Sequence, residues 1–149
     1  MNYIPWLTGK CGAGKSTLVN RLCRENGRWL SISGGEMRKT ISVGEGFSRK
    51  DRRIHNLRLV KLAKWIESQL LWKRDIVIDA IAPIQSVRDE ISKMCPVLWI
   101  YIKRDLPERD GHFYDEPKDY LTIDNDQMSK DEAYQKLLEI LREAKKNKG

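Results

Sequence analysis

Eight consecutive residues, from Gly9 to Ser16, match the pattern G-x-x-x-x-G-K-[ST] without a mismatch. The glycines of such a loop allow consecutive backbone N–H groups to turn inward and form a concave surface that binds anions. We expect the ammonium group of Lys15 to reach the β- and γ-phosphates of a nucleoside triphosphate, and the hydroxyl of Ser16 to ligate Mg²⁺. The predicted nucleotide-binding residues are Gly9, Gly12, Ala13, Gly14, Lys15, Ser16 and Thr17.

The segments on both sides of this loop have the secondary structure that the motif requires. An apolar run from Ile4 to Leu7 predicts a strand before the loop, and the segment from Thr17 to Glu25 carries apolar residues at helical spacing after it. The positive amino end of that helix points at the same phosphates. Strand, glycine loop and helix in this order indicate a phosphate-binding loop rather than an ordinary Gly-rich turn.

The size and composition of the chain restrict its class. A length of 149 residues predicts one domain over residues 1–149 that can bury a core, and 33% charged residues are typical of a globular protein. No run approaches the roughly 20 apolar residues of a membrane span, and the first residues lack a signal-peptide pattern. Three cysteines without metal-ligand spacing indicate free thiols in a reducing cytosol, so we expect a cytoplasmic location.

The alternation of strands and helices predicts an α/β fold, namely a three-layer P-loop NTPase fold with a parallel sheet of about five strands flanked by helices. Two segments between these elements are candidates for function. The Gly-rich segment 33–48 is a candidate substrate loop, and the polar segment 103–119 is a lid-like segment. The predicted strands are 4–7, 29–32, 75–80, 97–102 and 121–123, and the predicted helices are 17–25, 49–71, 86–93 and 130–145.

Asp79 closes a nearly all-apolar run in the pattern of a Walker B carboxylate. In P-loop folds such a residue lies beside the phosphate loop, where it holds Mg²⁺ directly or through water. We therefore favour a metal-binding or catalytic role for Asp79, with Ser16 as the other protein ligand of the metal. A strand-end aspartate without a metal is the alternative.

The class of P-loop protein follows from what the chain lacks. It has no N-K-x-D motif of a GTPase and is short for a motor or transporter ATPase, so a phosphotransferase is the natural class. A nucleotide-binding module without turnover is the competing class. A kinase must neutralise the charge that develops on the transferred phosphoryl group. In the lid-like segment, Arg104 and Arg109 are the candidates for that task, and exposed loop arginines are the alternative.

One predicted helix carries a cluster of basic residues. The net charge is +7, and seven basic residues fall among positions 49–64. Such a surplus favours polyanionic ligands, including nucleotides and nucleic acid, while a solvated helix face is the alternative. The seven residues are Arg49, Lys50, Arg52, Arg53, Arg58, Lys61 and Lys64.

Two segments resemble the adenylylsulfate (APS) kinase family, namely WLTGKCGAGKSTL over 6–18 and GFSRKDR over 46–52. The resemblance implies transfer of the ATP γ-phosphate to the 3′-hydroxyl of APS, with ATP and Mg²⁺ as cofactors. It implies that Arg38 contacts the nucleotide substrate, that Phe47 stacks on its adenine and that Arg52 binds it. His55 stands at the position of a family asparagine and joins these predicted substrate-binding residues.

The departures from the family pattern concern the acceptor side. The family's D-G-D reads Ser33-Gly34-Gly35, and its second aspartate is the family's general base. Glu36, one position further on, and Asp79 are the candidates to replace it, so the predicted catalytic residues are Lys15, Asp79 and Glu36. The family's I-S-P-[YF]-R reads Ile81-Ala82-Pro83-Ile84-Gln85, and the lysine-rich lid is short.

These observations predict an ATP-dependent kinase that phosphorylates a hydroxyl of a nucleotide-type acceptor, with APS as the first candidate. Other acceptors are a hydroxymethylated base in phage DNA, which would make DNA a partner, and a nucleoside-diphosphate-linked group of polysaccharide biosynthesis. A non-catalytic nucleotide-binding module is the second alternative. The sequence leaves a homodimer open and gives no sign of a membrane partner.

Overall fold

The structure is a computed structural model that describes residues 3–69, 74–108 and 113–146. Strands and helices alternate along these residues, as the sequence predicts. The elements are β1 Ile4–Thr8, α1 Lys15–Glu25, β2 Trp29–Ser33, α2 Gly34–Met37, α3 Arg49–Gln69, β3 Asp75–Asp79, α4 Gln85–Met94, β4 Val97–Lys103, β5 Leu121–Asp124 and α5 Lys130–Lys146.

The five strands form one parallel sheet in the order β2-β3-β1-β4-β5. All five residues of β1 are buried, which is why this strand and its neighbours carry continuous apolar runs rather than an alternating pattern. From β1 the chain crosses to β2 on one side of it, and from β3 it crosses to β4 on the other side. The loops that follow the neighbouring strands β1 and β3 therefore meet at the carboxyl edge of the sheet. Ligands bind at such a reversal of strand order in open parallel sheets.

Two apolar layers cover the two faces of the sheet. On one face Trp6 and Ile78 pack with residues of α3 and α4. On the other face Leu7 and Val77 pack with residues of α1 and α5. Successive residues of one strand therefore point into different layers, and the result is the predicted three-layer P-loop fold.

The predicted elements are confirmed to within about two residues at their ends. The structure adds one short helix, and the end of one predicted helix lies outside the described residues. The candidate substrate loop 33–48 contains the short helix α2. The sequence does not predict this helix, because the glycines at its start have low helix propensity. Ser33 caps this helix, because its hydroxyl accepts the N–H of Glu36 at 3.4 Å. The last predicted residues of the long helix, 70 and 71, lie outside the described residues. Among the described helices, none combines the length and the apolar composition that a membrane crossing requires.

Gly34 marks the tightest approach between α2 and the end of β3. A Cβ atom at this position would lie 2.7 Å from the Cβ of Ala80, whereas a Cβ at Gly35 would meet only the Ser33 hydroxyl, at 3.8 Å. We expect Gly34→Ala to lower the free energy of unfolding by about 1–3 kcal/mol, because the backbone must shift. The matched Gly35→Ala change should leave it unchanged or raise it by up to about 1 kcal/mol. Urea denaturation measures both, and an equal loss in both variants would contradict this packing.

Candidate active site

The loop between β1 and α1 has the backbone shape that its glycines allow. Gly9 and Gly14 have φ values of 152° and 106°, which residues with a side chain rarely adopt. A Cβ at Gly9 would lie 2.4 Å from the carbonyl oxygen of Ile102, and one at Gly14 would lie 2.6 Å from Nδ2 of Asn125. Helix α1 begins directly after this loop, so its free N–H groups face the same space.

The side chain of Lys15 lies inside this loop and not on the surface. Its ammonium group donates hydrogen bonds of 2.7 Å to the carbonyl oxygens of Gly9 and Lys10, and the residue is only 6% exposed. Burial lowers the pKa of Lys15 to about 8, although the charge of Asp79 acts in the opposite direction. The ammonium group is therefore still charged at neutral pH and close to its titration range.

Ser16 and Asp79, the two predicted metal ligands, are in direct contact. The Ser16 hydroxyl donates a hydrogen bond of 2.7 Å to Oδ2 of Asp79. The contact forms because β1 and β3 are neighbours and Leu7 is in register with Asp79. Burial raises the pKa of the Asp79 carboxyl, while the Ser16 hydrogen bond and the Lys15 charge oppose that shift.

The two candidates for the general base have different surroundings. The Glu36 side chain is 66% exposed, and its carboxylate forms an ion pair of 3.4 Å with Lys39 in the turn that follows α2. Asp79 is 5% exposed and touches the phosphate loop through Ser16. Of the two, Asp79 is the carboxylate that the structure brings to Lys15 and Ser16.

Three further side chains fix the phosphate loop by hydrogen bonds to backbone carbonyl oxygens. Asn125 donates to the carbonyl oxygen of Ala13 at 2.7 Å, and Arg104 donates to that of Gly12 at 2.9 Å. Lys10 donates to the carbonyl oxygen of Leu106 at 3.0 Å and so links the loop to the lid-like segment. No local pattern in the sequence predicts the contact of Asn125, whose partner is 112 residues away. Arg109, the second predicted lid arginine, lies outside the described residues.

Three of the predicted substrate-binding residues form one group. The guanidinium group of Arg38 lies 4.6 Å from the ring centre of Phe47, and Arg52 donates to the carbonyl oxygen of Phe47 at 2.8 Å. Burial lowers the pKa of both arginines from its usual value. The ring of Phe47 itself is about half exposed. Two cations thus flank an accessible aromatic ring.

A cleft beside the phosphate loop connects this group to the lid-like segment. Phe113, which no sequence pattern singled out, lies in its wall with Arg49 4.5 Å and Arg52 5.3 Å from the ring centre. An aromatic residue in a polar loop has no periodicity that reveals its partner. The described residues that line the cleft are Lys10, Cys11, Arg52, Ile81, Pro107, Glu108, Phe113 and Tyr114.

His55 is buried behind the candidate substrate loop. Its Nδ1 lies 2.7 Å from the hydroxyl of Ser42, and the ring also hydrogen-bonds the backbone of Gly34. Burial, with the charges of Arg38 and Arg58, lowers the pKa of His55 to about 4. The imidazole is therefore neutral at physiological pH, and its contacts connect α3 to the start of α2 and to the loop after α2.

The basic cluster of α3 is largely engaged within the protein. Arg53 forms a two-pronged ion pair with Glu90 of α4, and Arg58 pairs with Glu45 at 2.9 Å. Arg52 is buried and Arg49 lies over Phe113. The interpretation of this helix as a free surface for nucleic acid therefore gains no support from the described contacts.

The sequence of the chain matches the family model described as adenylylsulphate kinase over residues 1–112. The chain belongs to the adenylylsulphate kinase family. A protein of Pyrococcus abyssi named "Probable adenylyl-sulfate kinase" is 32% identical, in a match that covers 85% of this chain and 87% of that protein. One of the same name from Aeropyrum pernix is also 32% identical, and the match covers 70% of this chain but only 61% of that relative's length.

The fold also agrees with that of a solved adenylylsulphate kinase. The structure of the Mycobacterium tuberculosis APS kinase in complex with AMPPNP and APS superposes with a TM-score of 0.75, covering 95% of this chain and 98% of that one. The sequence identity of this pair is 23%, so the likeness concerns the fold. The predicted α/β P-loop fold of an ATP-binding kinase family is thereby confirmed.

The buried, neutral state of His55 makes the stability of the fold depend on pH. The unfolded chain binds a proton at His55 near pH 6.5, while the folded protein resists doing so until about pH 4. The contribution of His55 to the free energy of unfolding should therefore be fully present above pH 6.5. Through this residue the free energy of unfolding should fall by about 1–3 kcal/mol between pH 7 and pH 4.5. Urea denaturation of wild type and His55→Gln at both values measures the difference. The same pH dependence in both proteins would contradict this assignment.

Proposed function

We propose that the protein is an ATP-dependent phosphotransferase that moves the γ-phosphate of ATP to a hydroxyl of adenylyl sulfate or a closely similar nucleotide. The observation that carries the proposal is the contact between Ser16 and Asp79 beside the buried ammonium of Lys15. This arrangement unites a cation, a hydroxyl and a carboxylate at the amino end of α1. Membership in the adenylylsulphate kinase family supports the choice of acceptor.

On the donor side, the proposal gives the phosphate loop the task of holding the triphosphate. The residues 9–17 supply inward N–H groups, and Lys15 supplies a positive charge for the β- and γ-phosphates. The Ser16 hydroxyl and the Asp79 carboxylate are oxygen ligands of the kind that Mg²⁺ prefers, so these two residues would hold the ion. A bound Mg²⁺ supplies further neutralisation of phosphate charge. Asn125 and Arg104 orient this loop through their hydrogen bonds to the carbonyl oxygens of Ala13 and Gly12.

On the acceptor side, the proposal assigns the nucleotide to the group around Phe47. Arg38 and Arg52 bring positive charge to an anionic acceptor, and the half-exposed ring of Phe47 offers an aromatic surface to a base. His55 acts through Ser42 and Gly34, by fixing the loop that carries Arg38. Arg104 and Arg109 remain the proposed lid arginines.

The sequence Ser33-Gly34-Gly35 favours a second candidate acceptor. The resemblance implies D-G-D at these positions with the second aspartate as the general base, and neither aspartate is present in this chain. A kinase of the same donor chemistry with another nucleotide-linked hydroxyl is therefore the alternative. Assays with adenylyl sulfate and with a nucleoside-diphosphate-linked sugar separate the two.

Asp79 is the carboxylate that we propose for metal binding and for the proton of the acceptor hydroxyl, in place of Glu36. Asp79→Asn should lower kcat for the formation of phosphoadenylyl sulfate by about 10²–10⁴-fold, because general base catalysis contributes on that order. Glu36→Gln, the matched control, should stay within about threefold, because its carboxylate faces solvent. A coupled assay with purified protein, Mg·ATP and adenylyl sulfate measures both variants.

Two results of this assay would contradict the proposal in different ways. A wild-type protein that makes no product at high enzyme concentration would exclude adenylyl sulfate as the acceptor. A large loss in Glu36→Gln with an active Asp79→Asn would exchange the roles of the two carboxylates.

A further inference from the structure

Arg88 is a fully buried cation in the first turn of α4, with 0% of the residue exposed. Burying a guanidinium group costs several kcal/mol unless its N–H groups are satisfied. The sequence gives this residue no special status, since an arginine in a helix usually points to water. Its burial therefore calls for a physical explanation.

The guanidinium group is satisfied by neutral oxygens of three separate segments. Its NH1 group donates to the carbonyl oxygen of Ala82 at 2.6 Å, and its Nε donates to the hydroxyl of Tyr120 at 3.2 Å. Its NH2 group donates to Oε1 of Gln85 at 2.7 Å and to the carbonyl oxygen of Asp115 at 2.5 Å. The rings of Tyr114 and Tyr120 lie 5.1 Å and 5.5 Å away and complete the environment with cation–π contacts.

Two of these segments form a wall of the cleft beside the phosphate loop. Ile81 precedes Ala82 and lines the cleft, as do Phe113 and Tyr114 just before Asp115. Ala82 has a φ of 46°, an uncommon value for a residue with a side chain, and such a backbone persists only when its surroundings hold it. The bond from Arg88 to the Ala82 carbonyl is one of the contacts that hold it.

A short chain of hydrogen bonds leads from this wall to the phosphate loop. The Thr8 hydroxyl donates its single proton to the carbonyl oxygen of Ile81 at 2.5 Å, so the 2.9 Å contact with Tyr114 requires the tyrosine to donate. Burial raises the pKa of Tyr114 to about 12, so the phenol keeps that proton. Thr8 directly precedes Gly9, the first residue of the phosphate loop.

We propose that Arg88 is a positioning residue that fixes the wall formed by Ile81, Ala82, Phe113 and Tyr114 relative to the phosphate loop and thereby sets the affinity for the phosphate acceptor. The inference rests on the proposed function and deepens it by naming what shapes the acceptor side. Its basis is geometric, because one planar group with four bonds joins the loop after β3 to the segment before β5. A lysine at this position has one nitrogen and cannot span the same acceptors.

The test compares Arg88→Met and Arg88→Lys with Arg53→Met, which makes the same chemical change at an exposed surface ion pair. We expect both Arg88 variants to raise KM for adenylyl sulfate by about tenfold or more, while KM for ATP stays within about twofold, because only the acceptor wall loses its support. Arg53→Met should leave both constants unchanged. Equal increases in both KM values, or no change in either, would overturn the proposal.

Two further measurements keep the proposal testable if an Arg88 variant fails to fold or the wild type does not accept adenylyl sulfate. Tyr114→Phe retains the ring over the guanidinium but removes the donation to Thr8, and it should raise the acceptor KM by about threefold or more. Hydrogen exchange of the amides in 81–84 and 113–116 should become at least about tenfold faster in Arg88→Lys and in Tyr114→Phe, with β1 unchanged. Unchanged exchange in the folded variants would overturn the proposal, whereas an inactive wild type overturns only the proposed function.

Discussion

The burial of the Lys15 ammonium and the Asp79 carboxylate at the same edge of the sheet is the constraint on which the site depends. Each charge loses most of its contact with water, and neither burial is favourable unless the groups are closely partnered. Carbonyl oxygens of Gly9 and Lys10 compensate the cation, and the Ser16 hydroxyl compensates the carboxylate. These partners are available only because β1 and β3 are adjacent parallel strands that end together.

The side chains that we propose for the acceptor are held together by a different interaction, the contact of guanidinium groups with aromatic rings. Arg38 lies over Phe47, Arg52 lies near Phe113, and Arg88 lies near Tyr114. Such contacts combine the charge of a guanidinium group with the flat face of an aromatic ring. They join segments that the sheet itself does not order, namely the loop after β2, the start of α3 and the residues before β5.

The fold and the shape of the phosphate loop could be predicted from the sequence because their signals are local. Apolar runs mark the strands, helical spacing marks the helices, and the phosphate loop is contiguous from Gly9 to Ser16. The contacts of Asn125 and Arg88 could not be predicted, since their partners lie far along the chain or in loops without periodicity. The same limit explains why the arginines of α3 looked like a free basic surface, although Arg53 pairs with a glutamate of another helix.

The most direct test of the account is the affinity for Mg·ATP as a function of pH, measured by calorimetry on wild type and Lys15→Met. If the buried ammonium of Lys15 holds the triphosphate, binding should be tight at pH 7.5 and should weaken by about tenfold for each pH unit above 8, because the group loses its proton there. Lys15→Met should bind far more weakly and show no such slope. Equal affinities of the two proteins across this range would contradict the account.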